Sequence, residues 1–214
     1  MRNFQKEIFL ESEGDKWYLR NNMKLVNEIE MNFYSKFLSD GKKILEIGCS
    51  NGTKLDFLRQ RYNCEFFGID PSSEAVEIGS KKFPGIILNI GTADNLNFED
   101  EFFDFVIFGF CFYLIDRDLI SKVVAEADRV LKNKGYLGIT DFDVKIPQTR
   151  EYSHFEGVKT FKMDYSQLFL TYPHFVLADK CCYSHNSDLF VDDINERVSS
   201  VVLYKDHSGA YSLI

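Results

Sequence analysis

The sequence has 214 residues, which is enough for one domain with a substantial buried core. Its 33 acidic and 25 basic residues leave a formal net charge of −8. No cluster of Lys or Arg supplies the basic surface that nucleic-acid-binding proteins usually present. The composition therefore argues against DNA or RNA as a partner and favours a small-molecule ligand.

The sequence also argues against membrane insertion, secretion and metal binding. It contains no run of about 18 apolar residues, so we expect no transmembrane helix, and its first residues become acidic too soon for a signal peptide. The five cysteines are an odd number, and no C-x-x-C spacing occurs that would suggest a disulfide framework or a zinc site. We expect reduced thiols in a cytoplasmic protein.

Residues 1–40 are interpreted as an N-terminal helical arm that precedes a domain spanning residues 41–214. The arm carries Trp17 and Tyr18 among many charged residues. It either packs on the domain as a simple helix or forms a lid over a substrate pocket, in which case these two aromatic residues would bind substrate. Residues 22–39 have apolar residues at every fourth position, which predicts one helix with Asn21 or Asn22 as its N-cap.

A glycine turn follows the first apolar run, Ile44–Ile47. Gly48 and Gly52 are four residues apart, and a helical pattern begins immediately after them. A P-loop needs a lysine where Thr53 stands, and a dinucleotide-binding turn needs glycine where Ser50 stands, so both of these ligand classes are excluded by spacing. A strand, a glycine turn and a helix remain the pattern that opens a ligand site in an α/β fold.

Two further apolar runs end close to an aspartate. Phe66–Asp70 ends in a carboxylate 24 residues after Glu46, near the distance of about 20 residues over which a βαβ unit delivers an acidic group to a ribose. A carboxylate suits a vicinal diol because its two acceptor oxygens face two hydroxyl donors. Pro71 then starts the next helix. The third run, Ile86–Ile90, is followed shortly by Asp94.

This order of acidic-x-Gly-x-x-x-Gly turn, Asp70 and Asp94 resembles the class I S-adenosylmethionine-dependent methyltransferases. Phe103-Asp104-Phe105-Val106 is similar to the F-D-x-V strand of that family. The resemblance implies a three-layer α/β sandwich with a seven-stranded, mostly parallel sheet, helices on both faces and a C-terminal antiparallel hairpin. The sequence departs from the family at Ser50, where a third glycine is usual, and at Asn133-Lys134, where Pro-Gly is usual.

The resemblance also implies S-adenosylmethionine as cofactor and a set of residues that hold it. Glu46 would lie near the positively charged groups, Asp70 would accept hydrogen bonds from the ribose, and Asp94 would accept one from the adenine amino group. The full predicted cofactor set is Glu46, Gly48, Cys49, Gly52, Asp70, Pro71, Ala93, Asp94, Phe108 and Phe110.

The acceptor side is less well defined by the sequence. A hydroxyl acceptor needs a general base within hydrogen-bond reach, and the candidates at or after the fifth strand are Asp141, Asp143 and His154. Tyr113 joins Trp17 and Tyr18 as a candidate substrate contact. Residues 143–163 lose the apolar period and are expected to be irregular.

The segment Ser12–Asn21 has a short resemblance to the leading segment of bacterial methyltransferases that are encoded with surface-sugar biosynthesis enzymes. It suggests a sugar or sugar nucleotide as the small molecule that receives the methyl group on oxygen or nitrogen. The alternative is a non-catalytic module that keeps the cofactor fold for interaction. A homodimer is compatible with either interpretation.

Overall fold

A seven-stranded sheet forms the centre of the protein. The computed structural model describes residues 5–21, 27–187, 189–193 and 195–210. The strands of the sheet are β1 (Lys43–Ile47), β2 (Glu65–Asp70), β3 (Ile86–Ile90), β4 (Phe103–Gly109), β5 (Leu131–Phe142), β8 (Phe175–Ser184) and β9 (Arg197–Lys205). A separate hairpin consists of β6 (Gln148–Glu151) and β7 (Lys159–Lys162).

The strand order is β3-β2-β1-β4-β5-β9-β8. Strands β1 to β5 pair in parallel, while β9 runs antiparallel to both of its neighbours, β5 and β8. The predicted α/β fold is therefore confirmed, with its seven-stranded, mostly parallel sheet and its C-terminal antiparallel hairpin.

Helices cover both faces of the sheet. In chain order they are α1 (Gln5–Ile8), α2 (Gly14–Asn21), α3 (Glu28–Ser35), α4 (Thr53–Arg59), α5 (Ser73–Lys82), α6 (Ile120–Val130), α7 (Gln167–Leu170) and α8 (His207–Ala210). Buried residues of α3, α4 and α5 join one core cluster, and those of α6 and α7 join the other. Among the described residues, no helix is both long and apolar enough to cross a bilayer.

The period of two along β1 divides its side chains between these two cores. Leu45 and Ile47 enter the core beneath α6, whereas Ile44 enters the core beneath α3 and α4. Glu46 follows the period of Ile44 and is only 2% exposed. A carboxyl group is thus buried directly beneath the glycine turn.

A crevice lies where the strand order reverses. From β1 the chain builds outward through β2 and β3, and then returns to place β4 on the other side of β1. Open α/β sheets bind their ligands outside the carboxyl ends of the strands at such a reversal. Gly48, Asp70 and Gly109 all stand at these ends.

The N-terminal arm, which we define as residues 5–21, is helical with an irregular turn in its middle. A π-helical turn, Phe9–Glu13, joins α1 to α2, and the N–H of Gly14 donates to the carbonyl of Phe9. A side chain at Gly14 would lie 2.7 Å from that carbonyl oxygen and 3.1 Å from the nitrogen of Ser72. Glycine therefore permits the close approach of the arm to the start of α5. Residues 1–4 of the predicted arm lie outside the described residues.

The helix predicted over residues 22–39 differs from the one observed. Helix α3 begins at Glu28, and its N-cap is Asn27 rather than Asn21 or Asn22. The Asn27 carboxamide oxygen accepts two backbone N–H groups of the first turn, at 2.9 and 3.3 Å, which satisfies donors that a helix start leaves free. Residues 22–26 lie outside the described residues.

Residues 143–163 were expected to be irregular, and this expectation is wrong in part. The hairpin formed by β6 and β7 occupies much of the segment. Nearly all of its side chains are exposed or half-buried. Because neither face of the hairpin is buried, no alternating apolar pattern marks it in the sequence.

Candidate functional site

A cavity lies at the carboxyl ends of β1, β2 and β4, beneath the N-terminal arm. Its empty volume is about 840 Å³, including the part that opens to solvent. The arm forms its roof with Lys6, Phe9, Gly14 and Trp17. The strand ends form its floor with Ile47, Gly48, Ile69, Asp70, Pro71, Gly91, Thr92, Ala93, Asp94, Gly109, Phe110 and Cys111.

Two glycines, Gly48 and Gly109, leave the backbone of this floor without side chains. Gly48 has a φ of 76°, a region in which side chains are strained. A Cβ atom on Gly48 would also lie 2.8 Å from the Cβ of Cys111, and one on Gly109 would collide with the Glu46 carboxylate. The two glycines keep a cradle open that side chains would fill.

Ser50 stands at a position where the family that this sequence resembles usually has glycine. Its φ is 50°, so the turn keeps the left-handed conformation that glycine favours. Its N–H donates to the Asp70 Oδ2 at 2.8 Å. The substitution therefore preserves both the shape of the turn and its link to β2.

Asp70 is held rigidly at the end of β2. The N–H of Ser50 reaches one carboxylate oxygen, and the N–H of Ser72 reaches the other at 2.9 Å. Burial raises the pKa of Asp70 to about 6, although these two hydrogen bonds oppose the rise. The group is therefore mostly ionised at neutral pH and aimed into the cavity.

Asp94 is 3% exposed and faces the roof. Its Oδ1 accepts the Thr92 hydroxyl at 2.8 Å, and its Oδ2 accepts the Lys6 ammonium at 3.0 Å. The Lys122 ammonium lies 3.5 Å from the same Oδ2. Burial would raise the pKa of Asp94, but the hydrogen bonds from Lys6 and Thr92 outweigh it and lower that pKa.

Glu46 lies behind the cavity rather than in its lining. Neither of its oxygens has a hydrogen-bond partner among the described residues, and the Lys54 ammonium stands 3.7 Å from Oε1. Burial raises the pKa of Glu46 to about 8, while Lys54 acts to lower it. A buried carboxyl without a hydrogen bond is unusual in a native protein, and it fits a ligand that brings a cationic group or an ordered water to the glycine turn.

Contacts along α2 tie the arm to the floor. The Trp17 indole N–H donates to the Tyr113 hydroxyl at 3.2 Å, and the Asn51 amide donates to the Tyr18 hydroxyl at 3.3 Å. The Asp15 carboxylate accepts the N–H of Glu74 at 3.0 Å in the first turn of α5. Trp17 lines the cavity, whereas Tyr18 and Tyr113 stand behind its lining.

The three candidate bases have different surroundings. Asp141 is buried and accepts the N–H groups of Phe142 at 2.7 Å and Tyr113 at 3.2 Å. Burial raises the pKa of Asp141 to about 7, although the hydrogen bonds oppose the rise. Through Tyr113, Asp141 is connected to Trp17 and the cavity.

Asp143 and His154 lie farther from this network. The Asp143 carboxylate is 2.7 Å from the Lys180 ammonium and 3.6 Å from the Arg197 guanidinium. His154 is exposed on the turn between β6 and β7, with its ring 5.2 Å from that of Tyr152. None of the three candidate bases is among the described residues that line the cavity.

The structure brings part of the predicted cofactor set together. The residues that line the cavity are Gly48, Asp70, Pro71, Ala93, Asp94 and Phe110, and those that lie behind the lining are Glu46, Cys49, Gly52 and Phe108. Phe108 is fully buried against Phe112, with the ring centroids 4.1 Å apart.

Sequence reasoning missed Lys6, Phe9, Gly14 and Gly109 as cavity residues. A glycine inside a helical pattern, such as Gly14, signals close backbone approach and could have been noticed. Lys6 carries no comparable signal, because one lysine in a charged segment resembles any other.

Comparison with known proteins agrees with this geometry. Residues 44–135 match the profile of a protein family described as a methyltransferase domain. A phthiotriol/phenolphthiotriol dimycocerosates methyltransferase of Mycobacterium ulcerans is 33% identical over 104 residues, which cover 47% of this chain and 38% of the relative. A demethylmenaquinone methyltransferase of Thermotoga maritima is 32% identical over 114 residues, covering 52% and 48%. The chain spans less than half the length of these curated relatives.

A solved structure shares the fold over nearly the whole chain. It is a Burkholderia thailandensis 1,6-didemethyltoxoflavin-N1-methyltransferase with bound 1,6-didemethyltoxoflavin and S-adenosylhomocysteine. The TM-score is 0.71 at 14% identity, with 94% of this chain and 87% of that chain covered.

Residues 44–135, which match the methyltransferase-domain profile, contain β1 to β4 and the glycine turn in the floor of the cavity. The Burkholderia structure with this fold holds S-adenosylhomocysteine, the demethylated form of S-adenosylmethionine.

Proposed function

We propose that this protein transfers a methyl group from S-adenosylmethionine to an oxygen or nitrogen atom of a small molecule, with a sugar or sugar nucleotide as the candidate acceptor. The observation that carries the proposal is the cavity beneath the arm. The bare backbone of Gly48 and the carboxylates of Asp70 and Asp94 converge there from three successive strand ends.

The residues present fit the cofactor. The Asp70 carboxylate keeps unused lone pairs beside those that accept Ser50 and Ser72, and these can accept the two ribose hydroxyls. Ala93 and Asp94 would flank the adenine. The Glu46 carboxyl, which has no hydrogen-bond partner among the described residues, would accept a hydrogen bond from the cofactor's ammonium through the glycine turn, directly or through water, and a bound cation would favour its ionised form.

S-adenosylmethionine supplies a methyl group that is already activated by the sulfonium. The main task of the protein is then to align the acceptor, which can contribute roughly 7–11 kcal/mol. Trp17 and Phe110 line the cavity, and an aromatic face beside a sulfonium contributes about 0.5–2 kcal/mol. Because Trp17 belongs to the arm, the arm would order the reacting groups as well as cover them.

A hydroxyl acceptor would lose its proton to a carboxylate of this chain. We assign that role first to Asp141, since its pKa of about 7 suits a general base at neutral pH and Tyr113 links it to Trp17 of the roof. Asp143 and His154 are weaker candidates, because Asp143 is engaged by two cations and His154 faces solvent. An amine acceptor that arrives deprotonated needs no base.

The acceptor assignment has two supports. Two of the proteins named above carry an organic acceptor in their names, demethylmenaquinone in one and 1,6-didemethyltoxoflavin in the other. The resemblance of Ser12–Asn21 to methyltransferases of surface-sugar biosynthesis favours a sugar among such acceptors. Gly14 and Trp17 of this segment line the roof of the cavity, which supports a contact with the acceptor.

Two measurements test the proposal. Calorimetry should show binding of S-adenosylhomocysteine, and incubation with S-adenosylmethionine and a panel of sugars and sugar nucleotides should release S-adenosylhomocysteine with at least one acceptor. Binding without turnover across broad acceptor panels would favour the non-catalytic module. Absence of binding by the folded protein would contradict both interpretations.

A further inference from the structure

Lys6 of the arm contacts the residue that the proposed function assigns to the adenine. Its ammonium is 3.0 Å from the Asp94 Oδ2, and the side chain lines the cavity. The two residues are 88 positions apart in the chain, so the contact exists only because the arm folds over the strand ends.

Protein donors already occupy both oxygens of Asp94. The Thr92 hydroxyl is 2.8 Å from Oδ1, and two ammonium groups, those of Lys6 and Lys122, lie 3.0 and 3.5 Å from Oδ2. A carboxylate oxygen has about two acceptor positions. An adenine amino group that approaches Oδ2 from the cavity therefore competes with a lysine.

Of the two lysines near Asp94, Lys6 is the one that lines the cavity, whereas Lys122 is 57% exposed and lies outside the lining. Asp94 is 3% exposed and Thr92 belongs to the same loop, whereas the Lys6 side chain is 30% exposed at the rim of the roof. A long lysine stem can swing its ammonium into water while the backbone stays in place. That backbone is fixed separately, because the N–H groups of Gln5 and Lys6 both donate to the Asp116 carboxylate at 3.0 Å.

We propose that Lys6 is a gating residue of the cofactor cavity: its ammonium holds Asp94 in the ligand-free protein, and the cofactor displaces it from Asp94 on binding. This inference rests on the proposed function. Lys6 thus lowers the affinity for the cofactor and marks the ligand-free state of the roof. A lysine that instead contributes to cofactor binding would have the opposite effect on affinity.

Affinity measurements separate the two roles. Lys6→Met keeps the length of the stem and removes the charge, and Lys122→Met is the matched control because it removes a charge near the same carboxylate from α6 rather than from the arm. We expect Lys6→Met to bind S-adenosylhomocysteine about three- to tenfold more tightly than wild type, and Lys122→Met to change affinity by less. Equal effects of the two variants, or weaker binding by Lys6→Met, would overturn the proposal.

A second readout follows the Lys6 ammonium directly. Amine acetylation quantified by mass spectrometry should label Lys6 slowly in the ligand-free protein and about three- to tenfold faster after saturation with S-adenosylhomocysteine. Asp94→Asn should give the faster labelling without any ligand, while labelling of Lys122 stays high in all samples. Slower labelling of Lys6 in the complex would contradict displacement.

The outcomes also separate this inference from the function on which it depends. If wild-type protein binds no S-adenosylhomocysteine, the proposed function fails and the displacement of Lys6 fails with it. If wild type binds the ligand but Lys6→Met shows no gain and Lys6 labelling does not rise, only the gating role is overturned.

Discussion

The floor and the roof of the cavity are assembled in different ways. The floor consists of turns that directly follow consecutive strands, so Gly48 and Asp70 meet through the local geometry of one βαβ unit. The roof joins distant parts of the chain: Trp17 meets Tyr113 across 96 positions, and Arg20 meets Tyr152 across 132. Local order builds the proposed cofactor cradle, whereas long-range packing builds the surface that would receive an acceptor.

This difference leads us to expect that floor and roof can be disabled separately. Substitutions in the floor should change cofactor affinity, and substitutions in and behind the roof, apart from those of Lys6, should change turnover or acceptor affinity. The following tests are ordered from the largest expected effect to the smallest.

Asp141→Asn should lower turnover without changing cofactor affinity, and this is the largest effect that we expect. If Asp141 is the general base, kcat with a hydroxyl acceptor falls by about 10²–10⁴-fold, while the Kd of S-adenosylhomocysteine is unchanged. The base acts ionised and its pKa is about 7, so wild-type kcat should rise as the pH increases through 7, and the variant should lose that rise.

Asp143→Asn is the matched control for this substitution. It removes one charge from the Lys180 and Arg197 contacts, so we expect a loss of stability of about 1–3 kcal/mol with kcat retained in the folded fraction. Similar losses of kcat in both variants would argue against a special role for Asp141.

Asp70→Ala should weaken binding of S-adenosylhomocysteine by about ten- to a hundredfold, since a hydrogen bond to a charged group contributes roughly 1.5–3 kcal/mol. The pKa of Asp70 is about 6, so wild-type affinity should also fall as the pH drops below 6 and the carboxylate becomes protonated. Asp104→Asn is a suitable control, because Asp104 accepts the Lys43 N–H at the opposite edge of the sheet. Calorimetry on folded Asp70→Ala that gives wild-type affinity would refute the assignment.

Trp17→Phe tests the roof alone. It keeps an aromatic ring but removes the N–H that donates to the Tyr113 hydroxyl. We expect the acceptor KM to rise about fivefold, in line with one neutral hydrogen bond of about 1 kcal/mol, with little change in cofactor Kd. Tyr113→Phe should give a similar rise, and the double variant should add little, because both remove the same bond. If the two increases in KM add in the double variant, the hydrogen bond between Trp17 and Tyr113 is not their common cause.

Glu46→Gln should change the pH dependence of stability. Burial raises the pKa of Glu46 from 4.5 to about 8, so between these values the folded protein retains a proton that the unfolded chain releases. The stability contributed by this group is therefore present at low pH and decreases as the pH rises, by about 1 kcal/mol per unit. Glutamine stays neutral, so urea unfolding at pH 5.5 and 8 should show a smaller decrease for the variant. Parallel decreases would mean that Glu46 is ionised throughout.

The sequence by itself determined the α/β fold and the order of its principal strands. Apolar runs such as Ile44–Ile47, the glycine turn and the aspartate that ends β2 are local signals, since a strand, its turn and the next helix are fixed by neighbouring residues. The carboxyl ends of parallel strands meet at one edge of the sheet, so the same local signals predict that Gly48, Asp70 and Asp94 lie close together.

Tertiary structure alone decided how the arm and the candidate bases are arranged. The sequence offers Asp141, Asp143 and His154 as equivalents, yet one is buried beside Tyr113, one is paired with cations and one faces solvent. No local pattern indicates the contact of Lys6 with Asp94. The burial of the Glu46 carboxyl without a hydrogen bond is likewise absent from any local pattern. Burial and charge pairing depend on which distant segments cover a group, and that information arises only when the chain folds.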